Sequence, residues 1–204
     1  MCFFSRQSKS AREVENRFNA KIDDPQLFEP GNFINGFTFP KTPVIPDANQ
    51  SVIRYFQWGL IPFWAKDDSI KKYTLNAKIE TLRKKPSFRN SVNKRCLVIA
   101  DGFYEWKWLD AKGKNKQKYL ITRPNEELFA FAGIWSEWAD KETGKIIDTY
   151  SIVTTEANKL MSEIHNSKKR MPVVLTAENE SDWLNGSSVE DFQQCNVELE
   201  AMEA

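Results

Sequence analysis

The side chains best suited to covalent and proton-transfer chemistry are Cys2, Glu105 and His165. The chain opens MCFFSRQSKS. If Met1 is removed, Cys2 carries a thiol and a free α-amine on one residue, and such an amine titrates at about 7.7–8.0, so much of it is neutral and nucleophilic near neutral pH. An arbitrary second residue is the competing reading. In GFYEWKW, strand alternation sets Phe103, Glu105 and Lys107 on one face and Tyr104, Trp106 and Trp108 on the other. An acid among aromatics is partly desolvated, which raises its pKa toward the range useful for proton transfer. Pairing with Lys107 or a cross-strand base is the structural alternative. His165 is the single histidine and follows an apolar helical pattern, so it reads as either a helix cap or the one imidazole available to a mechanism. Asn76, in YTLNAKIETL, reads as a helix N-cap or as a residue that holds another polar group. In WGLIPFW, Trp58 and Trp64 read as core, or as a platform for a base in a loop with Gly59 and Pro62.

The elements that must position these residues follow from composition and periodicity. With 204 residues, 41% hydrophobic and 13% aromatic, the chain can build a real core as a single domain. No stretch approaches the roughly 18 consecutive apolar residues of a membrane span. The start lacks a charged n-region and a long apolar run, so it does not read as an export signal. Cys2, Cys96 and Cys195 are scattered and odd in number, with neither zinc spacing nor a disulfide framework, so no metal site is expected and the setting reads as reducing and cytoplasmic.

Net charge is only +1, but its distribution is uneven. From Ala65 to Arg123 there are 16 Lys/Arg against 6 Asp/Glu, whereas the segment from Glu178 onward holds eight acids and no base. A basic middle fits a phosphate-facing surface. KGKNKQK reads as a solvated loop. LRKKPSFRNSVNKR is the stronger candidate, because Phe88, Arg89 and Arg95 interrupt its lysines. The acidic segment 178–204 reads as a solvated, helical tail.

Residues 11–22 place Val14, Phe18 and Ile22 at helical spacing, and 25–50 read as an irregular wrap with short strands. VIRYFQWGLI, CLVIADGFYEWKWL, KYLITR, FAFAGIWSEW, DTYSIVTTE and PVVLT read as strands. NAKIETLRKK reads as a short helix stopping before Pro86. TEANKLMSEIH reads as a helix capped by Thr155, with Ala157, Leu160, Met161 and Ile164 on one face. TAENESDWLNG and SSVEDFQQC read as two more short helices. The sum is an α+β single domain with a curved or barrel-like, mainly antiparallel sheet flanked by short helices.

Taken in order, Met1-Cys2, WGLIPFWAKD, NAKIET, KPSFRNSVNKRCLVIADGFYEW, FAGIW, SIVTTEAN and IHNSKKRMPVVL resemble the SRAP family, the SOS response-associated peptidase fold of abasic-site DNA–protein crosslinking proteins. The resemblance runs from residue 2 to about residue 184. It implies recognition of an abasic site in single-stranded DNA and its capture as a thiazolidine through Cys2, surrounded by Asn76, Glu105 and His165. It implies DNA contacts from Arg170, Thr154 and Lys78, and from Pro40 and Trp64 near a DNA-bending wedge. Arg6 is the first base after the terminus, and Arg89 belongs to the basic run. Three departures stand out. Phe3 and Phe4 follow Cys2 where the family usually has Gly-Arg, Lys78 stands where Arg is usual, and the step from His165 to Arg170 is longer.

The resemblance further implies Glu105 as proton shuttle, His165 as proton donor to the opening sugar ring or helper in reversal, and Asn76 as an orienting residue. With nothing resembling a coiled coil, a membrane span or a secretory segment, the chain is expected to be a cytoplasmic monomer that needs no cofactor, stays off membranes and joins the nucleoid on binding DNA. The family's peptidase name implies a self-cleaving use of the same cysteine. An N-terminal-nucleophile or Cys–His hydrolase, and a noncatalytic single-strand-binding module, are the alternative readings.

Overall fold

The computed structural model describes residues 2–194 and 196–204; Met1 and Cys195, which enter the readings above, lie outside them. The strands are β1 (Phe4–Gln7), β2 (Lys21–Ile22), β3 (Gly31–Asn35), β4 (Lys41–Pro46), β5 (Val52–Trp58), β6 (Asn76–Lys78) and β7 (Arg95–Ala100). They continue as β8 (Gly102–Trp108), β9 (Lys116–Thr122), β10 (Phe129–Ala139), β11 (Ile146–Glu156), β12 (Arg170–Pro172), β13 (Val174–Leu175) and β14 (Glu200–Glu203). The α-helices are α1 (Ala11–Phe18), α2 (Lys159–Ile164) and α3 (Glu180–Leu184), with short 3-10 turns between elements.

β11, β10, β7, β4 and β5 pair in that order, and β11 also pairs in parallel with β5, so these five strands close into a ring. β2, β6, β12 and β13 extend it. A second sheet runs β14-β9-β8-β1-β3 with antiparallel neighbours. This is the curved, mainly antiparallel α+β fold that the alternating aromatic and β-branched runs dictate.

Alternation along the ring strands feeds two apolar clusters. Val44, Phe56, Trp58, Phe131 and Tyr150 join Cys2, Phe103 and Ile121. Ile45, Ile53, Leu97 and Ile99 join Val14 of α1 and Trp183 of α3 on the other face. Gly133 is required where β10 meets β7, because a Cβ there would lie 2.6 Å from Cys96 Sγ. α1 begins with a capping box between Ser10 and Glu13, and its buried Val14 anchors it.

Three local expectations are corrected. Residues 76–78 are a strand, not the start of a helix: they pair in parallel with Ile152–Thr154 of β11, and a 3-10 turn, Ile79–Thr81, follows. Here sheet pairing outweighs helix propensity. Asn158, not Thr155, caps α2, its side chain accepting from the Met161 N–H at 2.9 Å; Thr155 lies in β11 and donates to the Gln193 carbonyl. Phe88, which interrupts the lysines of the basic run, is buried in the core. The acidic C-terminal segment is not a solvated tail: Trp183 and Phe192 are buried, and β14 pairs with β9.

Candidate active site and nucleic-acid face

The N-terminal stretch is held by its carbonyls. Asn76 Nδ2 donates to the Cys2 oxygen at 2.8 Å, and the Gly36 N–H donates to the Phe3 oxygen at 2.8 Å. Asn76 is itself fixed by β6–β11 pairing, and the buried Trp58 indole donates to the preceding Leu75 carbonyl at 2.9 Å. Of the two sequence readings for Asn76, it therefore takes the second and holds another polar group. Cys2 is fully buried, and its Sγ lies 3.8 Å from the Phe4 carbonyl oxygen. Burial, reinforced by the neighbouring Glu105 carboxyl, pushes the thiol pKa well up, so at neutral pH it is a thiol and not a thiolate.

Glu105 occupies the middle of β8, which pairs with β1 through Ser5–Phe103. It is 5% exposed, and burial raises its pKa to about 7. It therefore exchanges a proton near neutrality, as an acid or base must. Phe103 lies in the cluster with Cys2, while Trp106 packs edge-on against Phe4, so the faces divide as alternation requires.

His165 is the C-cap of α2. Its Nδ1 lies 2.7 Å from the Arg170 carbonyl oxygen; a carbonyl only accepts, so Nδ1 carries the proton and Nε2 the lone pair. The Arg170 N–H lies farther from the same nitrogen, at 3.3 Å, and is the weaker contact. Burial lowers the imidazole pKa to about 4, leaving it neutral at physiological pH.

Glu105 and His165 line one cleft of about 240 Å³ together with Phe3, Trp106, Lys116 and Lys168. The structure thus brings Cys2, Asn76, Glu105 and His165 into one neighbourhood and sets two lysines at its mouth. Nothing in the sequence signalled Phe3, Trp106, Trp108, Lys116, Ser167 and Lys168 as cleft residues, because alternation alone sets the two tryptophans on the strand face opposite Glu105.

The expected DNA contacts divide. Lys78 and Arg89 are exposed, Trp64 is 46% exposed beside an exposed Phe63, and Pro40 is half-buried. Lys78 pairs with Thr154 across β6–β11, two residues along the strand from Asn76. Arg6, by contrast, is buried: its Nε lies 3.2 Å from the fully buried Asp101 carboxylate, and Nη2 lies 3.2 Å from Glu126. That ion pair spends the guanidinium on joining β1 to the β7–β8 turn. Thr154 is fully buried, and its carbonyl accepts from Arg170 Nη2 at 2.7 Å. Arg170 is 9% exposed and forks onto Glu80 at 2.6 and 3.0 Å. Thr154, Arg170 and Arg6 are therefore engaged within the protein and do not face an open groove.

The sequence matches the family described as SOS response associated peptidase (SRAP) over residues 1–204. It is 46% identical over 153 residues to the abasic site processing protein YoqW of Bacillus subtilis (strain 168), a match covering 74% of this chain and 66%, just under two thirds, of that protein. It is 33% identical over 167 residues to the abasic site processing protein HMCES of Gallus gallus, covering 70% of this chain and 48% of that one. A solved protein structure from Bacteroides thetaiotaomicron superposes with TM-score 0.91 at 36% identity, covering 99% of this chain and 91% of that chain. With a match along its whole length, relatives at this identity and the same fold, the chain belongs to the SOS response associated peptidase (SRAP) family.

Proposed function

We propose that this chain recognises an abasic site in single-stranded DNA and, once Met1 is removed, captures it covalently through Cys2. The observation that carries the reading is the shared neighbourhood of Cys2, Glu105 and His165 at a cleft edged by Lys116 and Lys168. The names of its relatives, abasic site processing proteins, support the same substrate.

The chemistry balances without a cofactor. The α-amine of Cys2 adds to the aldehyde carbon of the ring-opened sugar, and loss of water gives an imine. The Cys2 thiol then adds across the C=N bond: sulfur bonds to carbon, nitrogen takes up a proton, and a five-membered thiazolidine closes. Both nucleophiles hang from one residue, so the second step gains a large effective molarity. Serine lacks that reactivity at neutral pH, because sulfur is the far better nucleophile.

Glu105, with a pKa of about 7, is the proton shuttle: protonated, it assists departure of water; ionised, it accepts from the thiol. His165 is neutral with its lone pair on Nε2, so it accepts a proton or hydrogen bond from the sugar. This replaces the donor role first expected of it. Asn76 fixes the Cys2 carbonyl and thereby the approach of the amine. Lys78 and Arg89 supply phosphate contacts and Trp64 a wedge. The protein works as one SRAP-like domain and as a monomer, a stoichiometric crosslinker and not a multiple-turnover peptidase.

The test is incubation with an oligonucleotide bearing one abasic site, followed by denaturing electrophoresis, with intact mass reporting removal of Met1. A shifted band that survives denaturation and is lost in Cys2→Ala and Cys2→Ser is expected. Glu105→Gln slows its formation more than it weakens binding. Adduct of equal yield from Cys2→Ala removes the reading.

A further inference from the structure

The sheet face that turns away from the core carries an aromatic surface that the covalent chemistry does not use. Cross-strand register places Trp106 opposite Lys118 and Trp108 opposite Lys116. Phe4 stacks on Phe33 with centroids 4.9 Å apart and meets Trp106 edge-on at 4.9 Å. Phe33 continues to Tyr104 at 5.0 Å, and Phe37 packs on Phe3 at 4.8 Å. Phe33 and Phe37 are nonetheless 48% and 51% exposed. Exposed rings that already pack on one another are held in place, so contact with a further ring costs little side-chain entropy.

Cations are laid on these rings. Lys118 Nζ lies 5.7 Å from the Phe33 centroid and 5.2 Å from that of Tyr104, and Lys116 Nζ lies 5.5 Å from that of Trp108. Alternating rings and lysines match the alternation of bases and phosphates in a single strand, which binds through stacking combined with charge. The surface is also continuous with the candidate site, because Trp106, Trp108 and Lys116 line the cleft that holds Glu105 and His165. Phe3 and Phe4, which directly follow Cys2, both pack into this surface.

We infer that this face is a stacking track on which unpaired bases flanking the abasic site lie, with Phe33, Phe37 and Trp106 contacting bases and Lys116 and Lys118 contacting phosphates. Next to Cys2, this chain therefore grips the flanking strand by stacking. The inference rests on the proposed function and specifies how that site holds its substrate.

The experiment separates the two. A fluorescein-labelled single strand carries a central tetrahydrofuran, the unreactive abasic analogue, flanked on both sides by adenines or by further tetrahydrofuran units. Binding is read by anisotropy. Base–aromatic stacking makes adenine flanks bind tighter by about tenfold or more. Phe33→Leu/Phe37→Leu keeps apolar packing but removes two rings, and it is expected to lose most of that preference while retaining its melting temperature. A preference for adenine flanks that the double variant keeps in full, or no preference in the parent protein, overturns the track. Crosslinking of a native abasic site at saturating protein is measured alongside. Its failure in the parent protein strikes the covalent reading instead, and its persistence in the double variant confines the rings to binding.

Discussion

The side-chain amide of Asn76 reaches across 74 residues of sequence to hold the Cys2 carbonyl at 2.8 Å. A strand from the middle of the chain thus sets the position of its second residue, and only a donor at 76 performs that task. Asn76→Asp turns donor into acceptor and sets it against a carbonyl oxygen, whereas Asn76→Ala only removes the bond. A misplacement of about 1 Å at a reacting atom costs up to roughly a hundredfold in rate. We expect both variants to crosslink about ten- to a hundredfold more slowly at saturating DNA, Asp more severely than Ala, with affinity for the tetrahydrofuran strand nearly unchanged. Equal losses in rate and affinity would reassign Asn76 to DNA binding.

Glu105 and His165 predict opposing pH dependences of stability. Glu105 is raised from 4.5 to about 7, so between those values the folded state holds a proton that the unfolded state has released, and stability falls as pH rises through that window. His165 is lowered from 6.5 to about 4, so the unfolded state holds the extra proton, and stability falls as pH drops from about 6.5 toward 4. Over the shared window the two slopes oppose one another. Each variant should unmask the other residue: in urea titrations from pH 4.5 to 6.5, Glu105→Gln gains stability with rising pH relative to the parent protein, and His165→Gln loses it. Parallel curves for all three proteins contradict the burial of both groups.

Much of this site was legible in the sequence, for reasons tied to particular residues. Strand alternation fixed the faces of Phe103, Glu105, Tyr104 and Trp106, because period-two patterning needs no knowledge of partners. His165 was legible as the cap of an apolar helix, which it is, but its place in the cleft was not. What the sequence hid depended on pairing. Asn76–Lys78 has the composition of a helix start but becomes a strand because β11 supplies a partner. Arg6 and Arg170 look like phosphate ligands until Asp101 and Glu80 are placed beside them. The acidic segment 178–204 reads as solvated because its Trp183, Phe192 and β14 contacts lie with elements remote in sequence.

Lys78 and Arg170 should part company in salt. Lys78 is exposed beside the candidate site, whereas the Arg170 guanidinium forks onto Glu80 and the Thr154 carbonyl. Each phosphate contact contributes about 0.7 to the slope of log K against log salt for a single strand. Lys78→Ala should therefore lower that slope by about 0.7 and leave the melting temperature unaltered. Arg170→Ala should leave the slope unaltered and cost about 1–3 kcal/mol of stability, because it strips the partner from Glu80 and a buried carbonyl. Should Arg170→Ala lower the slope as Lys78→Ala does, its guanidinium leaves Glu80 when DNA binds.

Gly36 is the second anchor of the N-terminus, and its lack of a side chain is what permits the contact. Its N–H donates to the Phe3 carbonyl at 2.8 Å, and a Cβ added there would lie 3.1 Å from that oxygen and 3.1 Å from the Trp58 ring. Neither neighbour yields readily: one is backbone tied into the start of β1, and the other is a fully buried indole bonded to the Leu75 carbonyl. Because Leu75 precedes Asn76, pressure on Trp58 also reaches the residue that holds Cys2. Overpacking of this kind costs about 1–3 kcal/mol. Gly36→Ala should lose that much in urea unfolding and crosslink more slowly at saturating DNA, since both Phe3 and Asn76, the two residues that fix Cys2, are displaced. A Gly36→Ala protein that is less stable yet crosslinks at the parental rate would show that the reacting residue is positioned by Asn76 alone.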